Sequence, residues 1–287
     1  MSIKSLIRAA QFYINKIVGD RYVSVHFSDL VLKFDTHWKH EFDYTQYCKH
    51  GTLNGPICLD LWAMSHLIKE GDVVLDAGAN IGFTATLSKK AKAREVHCFE
   101  PDPRLFKRLV DNCNDDLFRH EQIALSKSDS TGLFHLSQQH NQGSTLSDIH
   151  LEKFSNLYNS ENQITVTTKK VDTLYSNKKF DFLKIDVEGE ELNLLKGAKE
   201  LLSNQTPRIV YIELYEEYFT EAYRFLTSFF DFAYRVICDQ KGRGKLVKIT
   251  SEELVKIDIK KIITRPPTFV FTTENLDTYT TKWTMIK

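Results

Sequence analysis

Between Asp72 and Glu213, short apolar runs alternate with stretches of helical spacing, and this alternation constrains the fold of the 287-residue chain more than any other feature. Residues 73–75, 96–99, 122–125, 180–185 and 209–213 read as strands, with helices over about 83–91, 103–117 and 190–202 between them. Apolar strands separated by helices predict an α/β fold, a parallel sheet covered on both faces. Past residue 213 the segments 234–239, 245–250 and 268–273 have β character and predict closure by antiparallel strands. The segment 126–176 fits the alternation less well. Residues 133–137 and 164–170 alternate like hairpin arms around a Gly143-Ser144-Thr145 loop. Residues 1–70 read as a helical lead-in or cap, broken at Asn54-Gly55-Pro56 and followed by a helix over 57–68 with Gly71 as its C-cap. The expected organisation is a lead-in over 1–70 and one α/β domain over 71–287, with a β-hairpin-like insertion at about 126–170.

The first turn of this pattern carries chemistry. Asp76-Ala77-Gly78-Ala79-Asn80-Ile81-Gly82 joins an apolar run to a helix. Glycines there let the backbone turn sharply beside a ligand, and a helix start offers N–H groups. Glu100 follows 22 residues after Gly78, at the end of the next run. In doubly wound sheets an acidic residue at that place accepts hydrogen bonds from ribose hydroxyls. Asn80 stands where a dinucleotide fingerprint requires its second glycine, and Asp76 adds negative charge before the turn. Both disfavour a pyrophosphate and suit a ligand bearing ammonium and sulfonium groups, which points to S-adenosylmethionine.

A second constellation is Lys184-Ile185-Asp186-Val187-Glu188-Gly189-Glu190-Glu191. Period-two alternation sends Lys184, Asp186 and Glu188 to one side. Glu190 and Glu191 read as stabilising a helix N-terminus through its dipole. Asp186 is expected at the carboxyl edge of a central strand beside the ligand crevice, with Glu213 next to it. These carboxylates suit a base that takes a hydroxyl proton during methyl transfer. The same cluster could instead hold a divalent cation such as magnesium that acidifies a substrate diol. Lys184 pairs with Asp186 or orients substrate oxygens.

Asp76-Ala-Gly-Ala-Asn-Ile-Gly82, Phe99-Glu100-Pro101, Ala124-Leu125-Ser126, Val171-Asp172-Thr173-Leu174, Leu183-Lys-Ile-Asp-Val-Glu-Gly-Glu190, Leu195-Lys196-Gly197-Ala198 and Glu213 together resemble the FkbM family of methyltransferases over about residues 70–215. Ala77 departs conservatively from the family's more usual valine. The resemblance implies a Rossmann-like class I methyltransferase fold with a mostly parallel seven-stranded sheet, and S-adenosylmethionine-dependent methylation of a hydroxyl. The implied acceptor is a sugar of a glycan, glycolipid or glycosylated precursor. Carried onto this chain, it implies cofactor contacts from Asp76, Gly78, Asn80, Phe83, Thr84, Glu100 and Ala124. Catalytic acids are then expected at Asp186 and Glu188, and substrate contacts at the Ser144-Thr145 loop.

Other features bound the alternatives. The 38 basic and 38 acidic side chains cancel, which removes the long-range pull expected of a dedicated nucleic-acid or anionic-membrane binder, though a local basic patch would survive that average. No proline follows Asp186, against the Asn/Asp-Pro-Pro-aromatic turn of amine methylation. An RNA 2′-hydroxyl methyltransferase using Lys184, Asp186 and Glu213 is the nearer alternative, disfavoured by the lack of an aromatic–basic stripe. Lys241, Arg243, Lys245 and Lys248 read as a solvated hairpin. A non-catalytic scaffold or glycan-binding protein is the alternative from another class, and predicts a blocked crevice. Five cysteines without a C-x-x-C pair read as reduced thiols of a cytoplasmic protein, and His37-x-x-His40 as surface or packing histidines. No apolar run reaches the ~20 residues of a membrane span, and Lys4, Arg8, Asn15 and Lys16 interrupt any signal-peptide core. Ile3, Leu6, Ile7, Ala10, Ile14, Ile17 and Val18 share one helical face, opposite Lys4, Arg8, Gln11 and Asn15. That face is expected to pack on its own domain or on a partner subunit of a homo-oligomer, with peripheral membrane contact through residues 2–18 as the alternative.

Overall fold

A computed structural model describes residues 3–51, 57–137, 141–158, 162–239, 241–251, 262–263 and 267–286. The expected turn at Asn54-Gly55-Pro56 lies outside the described residues. The lead-in comprises α1 (Ile3–Val18), the antiparallel pair β1 (Tyr22–Phe27) and β2 (Leu30–Asp35), α2 (Lys39–His50) and α3 (Ile57–Leu67). The hairpin corrects the helical reading of this segment. Leu30, Leu32 and Phe34 point inward on β2 while Val31 and Lys33 face out, and the apolar Val31 hides that alternation in the sequence. Gly71 is also not a helix cap: α3 ends at Leu67, and Gly71 occupies a later turn at φ +88°.

The α/β unit then runs β3 (Val73–Ala77), α4 (Phe83–Lys90), β4 (Glu95–Phe99), α5 (Pro103–Asn112) and β5 (Phe118–Glu121). Next come β6 (Ala124–Leu125), β7 (Ser130–His135), α6 (Asp148–Lys153), β8 (Gln163–Lys169) and α7 (Val171–Leu174). The chain returns through β9 (Phe182–Ile185), α8 (Glu191–Gly197), α9 (Lys199–Asn204), β10 (Ile209–Glu213) and α10 (Phe219–Thr227). It closes with β11 (Phe232–Asp239), β12 (Arg243–Ile249), β13 (Ile262–Ile263), β14 (Thr268–Thr272), α11 (Thr278–Thr281) and β15 (Thr284–Met285).

The main sheet has the order β15-β12-β11-β14-β10-β9-β3-β4-β5, with β13 on β11. Strands β5, β4, β3, β9 and β10 pair in parallel, and β14, β11, β12 and β15 add antiparallel. The expected α/β sheet, parallel through β5, β4, β3, β9 and β10 with antiparallel C-terminal strands, is present, and β12, β13 and β15 extend it beyond the expected seven strands. One strand is shifted from expectation. The parallel edge is β5 at 118–121, whereas Ala124–Leu125 pairs with β8 in a separate sheet of order β6-β8-β7. The edge strand buries only Phe118 and otherwise reads Arg-His-Glu, so it carries almost no apolar signal. The helix expected over 190–202 is divided at Ala198 into α8 and α9.

Alternation on the central strands sends Val74, Val96, Phe182 and Tyr211 to a core shared with α3, α4, α5 and the β1–β2 hairpin. Val73, Leu75, Leu183, Ile185, Val210 and Ile212 face the opposite core, built with α7, α8, α9 and α10. Arg108 of α5 pairs with the fully buried Glu41 of α2 and so ties the lead-in to the sheet domain. Helix α1 departs from expectation. Its seat is made by Phe12, whose ring meets Phe42 edge-on at 5.7 Å, and by Asn15, whose amide donates to Thr36 Oγ1 at 2.9 Å. Leu6, Ile7, Ala10, Ile14, Ile17 and Val18 are exposed. The expected burial of this face on its own domain is therefore corrected. The order of strand addition switches sides between the parallel neighbours β3 and β9, which are distant in sequence, and the carboxyl ends of these strands form the crevice where such sheets hold ligands.

Candidate active site

The turn after β3 is held from every side. Gly78 and Ala79 N–H donate to Phe99 O at 3.0 and 2.9 Å, Asn80 N–H to Glu100 Oε2 at 2.9 Å, Ile81 N–H to Asn80 Oδ1 at 2.9 Å and Gly82 N–H to Ala79 O at 2.8 Å. The amides of residues 78–82 are thus used within the protein, which corrects the expectation that this turn offers free N–H groups and removes the cradle a pyrophosphate needs. Gly78 has φ +76°, and a Cβ there would lie 1.8 Å from Asp186 O. Only glycine lets the turn pass the loop after β9. Asn80 adopts φ +52° and donates through Nδ2 to Asn141 O at 3.1 Å, linking the turn to the loop before Ser144. Glu100 also accepts from Asp102 N–H at 2.8 Å, and burial pushes its carboxyl up to about 8.

The second constellation converges on the same crevice. Lys184 is buried, donates to Gly78 O at 2.9 Å, and stands 3.3 Å from Asp76 Oδ1 and 3.5 Å from Asp186 Oδ2. Desolvation opposes its charge, but the flanking aspartates outweigh that and raise its pKa. Asp76 also accepts from Thr84 Oγ1 at 2.7 Å. Its charge is therefore spent on Lys184 beneath the turn. Glu188, held at φ +52°, lies 3.4 Å from His150 Nε2 of α6. Burial raises the Glu188 and Glu213 carboxyls well above the usual range, with the charge of Asp186 adding to each. Tyr215 hydrogen-bonds Glu213. Glu191 starts α8 as the dipole argument expects, but its carboxylate turns back. It accepts from Val187 and Gly189 N–H at 3.0 Å each and from Tyr218 OH at 2.6 Å, which fixes the loop bearing Asp186 and Glu188. Burial pushes Glu191 up to about 7.

A cavity of about 340 Å³ opens between these parts. Of the residues expected from sequence, Gly78, Asn80, Phe83, Thr84, Glu100, Ala124, Ser144, Lys184, Asp186, Glu188 and Glu213 line it. Two do not. Asp76 sits below the floor, 1% exposed. Thr145 is fully buried behind the wall, donating to Glu188 O and accepting from Ser147 N–H, so it buttresses the Glu188 loop. The lining also includes His40, Asp43, Tyr44, Asp60, Asn141 and Tyr215, which the sequence reading missed. His40, Asp43 and Tyr44 recur at i, i+3 and i+4, one face of α2, and that polar stripe was the available signal. Tyr44 stacks on Phe83 at 4.0 Å. Asp60 accepts from Tyr211 OH at 2.7 Å, and burial pushes its carboxyl up to about 6.

The model of the methyltransferase FkbM domain matches residues 76–236, more than half of the chain and all of these elements from the glycine turn to Glu213. The chain belongs to the FkbM methyltransferase family. It is 30% identical over 164 residues to the 2-O-methyltransferase NoeI of Sinorhizobium fredii, covering 52% of this chain and 66% of that one. It is 31% identical over 151 residues to the hexuronic acid methyltransferase AglP of Haloferax volcanii, covering 51% of this chain and 57% of that one. Each match spans less than two thirds of the relative's length. Among solved structures, the S-adenosylmethionine-dependent O-methyltransferase of Thermotoga maritima aligns at a TM-score of 0.40 and 13% identity, covering 81% of this chain and 71% of that one. Outside the match, α2 and α3 of the lead-in still supply part of the FkbM cavity wall through His40, Asp43, Tyr44 and Asp60. Among the described residues, no group of three or more His, Cys, Asp or Glu side chains is arranged to hold a metal ion.

Proposed function

We propose that this FkbM protein is an S-adenosylmethionine-dependent O-methyltransferase acting on a sugar hydroxyl of a glycan, glycolipid or glycosylated precursor. The observation that carries the reading is the convergence of Asp186, Glu188 and Glu213 on one cavity with the glycine turn and Glu100. The residues present fit that cofactor. Glu100 stands ready for ribose hydroxyls, Ile81, Leu105 and Ala124 provide apolar surface for a base, and the engaged amides of 78–82 leave no seat for a pyrophosphate. When bound, the cofactor supplies an activated methyl group. The chain's own part is to hold the acceptor hydroxyl in line and to receive its proton on the carboxylate cluster of Asp186, Glu188 and Glu213. Lys184 steadies Asp186 from below. The name of one relative, a 2-O-methyltransferase, supports methylation of a hydroxyl, and that of the other, a hexuronic acid methyltransferase, supports a saccharide acceptor. The open cavity favours an enzyme over a blocked scaffold. No disulfide joins any of the five cysteines to another, which suits the cytoplasm.

Calorimetric titration with S-adenosylmethionine, with NAD as control, tests the cofactor. Methyl transfer from labelled S-adenosylmethionine to uronic-acid and neutral-sugar oligosaccharides, with magnesium or with EDTA, tests the acceptor class and the metal-assisted alternative. Binding of NAD and not of S-adenosylmethionine overturns the proposal. Methylation of RNA and of no saccharide replaces it with the 2′-hydroxyl reading.

A further inference from the structure

Helix α1 is seated through Phe12 and Asn15 and shows its wider apolar face to solvent. Phe12 and Asn15 make the contacts with Phe42 and Thr36. On the opposite side Leu6 and Ile7 are each 52% exposed, Tyr13 63%, Ile14 58%, Ile17 81% and Val18 78%. Spacings of three and four join these residues into one stripe along the helix. A stripe of this kind on a surface helix normally faces the core, so its exposure marks an interaction surface. The charge on the same helix selects the partner. Its sequence holds Lys4, Arg8 and Lys16 and no acidic residue, and Asp20 is the first acid of the chain. Pairing two copies stripe to stripe would leave these cations on the outer sides of the pair, with no carboxylate from either helix to answer them. A layer of negatively charged headgroups surrounds a helix that lies in it and so reaches cations beside and behind the stripe, at about 1 kcal/mol for each basic side chain near it. With 16 residues and three cations the helix is built to lie in an interface rather than to cross it.

We propose that α1 is an interfacial anchor that lies in the headgroup layer of an anionic bilayer, its Leu6–Val18 stripe toward the acyl chains. The helix rests on α2, which carries His40, Asp43 and Tyr44 to the cavity wall. Anchoring therefore brings the cavity to roughly one helix diameter, ~10 Å, from the membrane, within reach of saccharides carried on lipid. That last consequence rests on the methyl-transfer reading, whereas the anchor itself does not.

The test uses the full chain, without cofactor, sedimented with vesicles of phosphatidylcholine alone or mixed with phosphatidylglycerol. The expected result is binding to the anionic vesicles that weakens with added salt, with little binding to phosphatidylcholine alone. Ile14→Asp/Ile17→Asp changes two exposed side chains and should keep the circular dichroism spectrum and melting temperature while lowering the partition about tenfold or more. Lys4→Gln/Arg8→Gln/Lys16→Gln should lower it on anionic vesicles only. No binding to anionic vesicles, or binding that the aspartate pair leaves unchanged, overturns the proposal. So does a dimer in light scattering that the aspartate pair dissolves while vesicles are ignored, which would assign the stripe to a second copy. Because no step needs S-adenosylmethionine, failure here leaves the methyl-transfer reading untouched, and failure of that reading leaves the anchor standing.

Discussion

Replacing Lys184 by methionine tests whether the site is organised around one buried cation. Lys184 is 3% exposed and lies between Asp76 Oδ1 at 3.3 Å and Asp186 Oδ2 at 3.5 Å. Asp186 keeps 36% of its side chain in solvent and can be hydrated once the cation is gone, but Asp76 cannot. Removing one partner of a buried pair costs about 3–5 kcal/mol. A buried carboxylate stripped of its cation escapes by taking a proton, which at pH 7 costs about 4 kcal/mol against an unfolded-chain pKa near 3.9. The two figures agree. In the variant the protonated folded state loses ground as pH rises above that unfolded value, so the penalty falls to about 1.5 kcal/mol at pH 5. Urea denaturation of wild type and Lys184→Met at both pH values reads this directly, and at pH 7 the melting temperature should drop by about 6–10 °C. Adding Asp76→Asn, which keeps an oxygen for Thr84 Oγ1, should recover about half of the loss or more. A penalty under about 1 kcal/mol at pH 7, a penalty independent of pH, or no rescue by Asp76→Asn would refute the reasoning.

Gly78→Ala places a Cβ 1.8 Å from Asp186 O at φ +76°. It should cost about 1–2 kcal/mol in backbone strain alone and abolish S-adenosylmethionine binding by calorimetry, and unaltered binding would disprove the close fit of turn and loop. Glu100→Gln should weaken that binding about tenfold, while Asp186→Asn should keep binding and lower turnover about a hundredfold or more. Equal loss of binding in both variants would show that the two residues do not have separate roles. The turnover rate should rise with pH through and beyond neutrality, since burial and the charge of Asp186 hold protons on Glu188 and Glu213 and a base acts only once its proton is gone. A rate unchanged between pH 5 and 8 would exclude those carboxylates as the acceptor of the proton.

Much of the framework was legible in the residues because burial on both faces leaves an unbroken apolar signature. Strands β3, β4, β9 and β10 and the turn between β3 and α4 fall close to where their apolar runs and glycines stand. The edge strand β5 was missed because it buries a single phenylalanine. The β1–β2 hairpin was missed because exposed Val31 breaks its alternation. Among the residues that line the cavity, Gly78, Glu100 and Asp186 carry a local signal in the sequence, while His40, Asp43, Tyr44 and Asp60 reach it from helices that precede the glycine turn in the chain. Their presence there depends on how α2 and α3 pack.

By itself the amino-acid sequence determined the alternating α/β framework, the glycine turn and the acids at the strand ends, since each follows from spacing along a few residues. Tertiary structure alone decided what those residues do to one another. It spent the charge of Asp76 on Lys184, moved Thr145 behind the wall, and used the amides of 78–82 inside the protein. It also turned the apolar face of α1 outward. Periodicity states that a helix has two faces, whereas which face meets the core is set by the shape and hydrogen bonds of what lies beneath it, here Phe42 and Thr36.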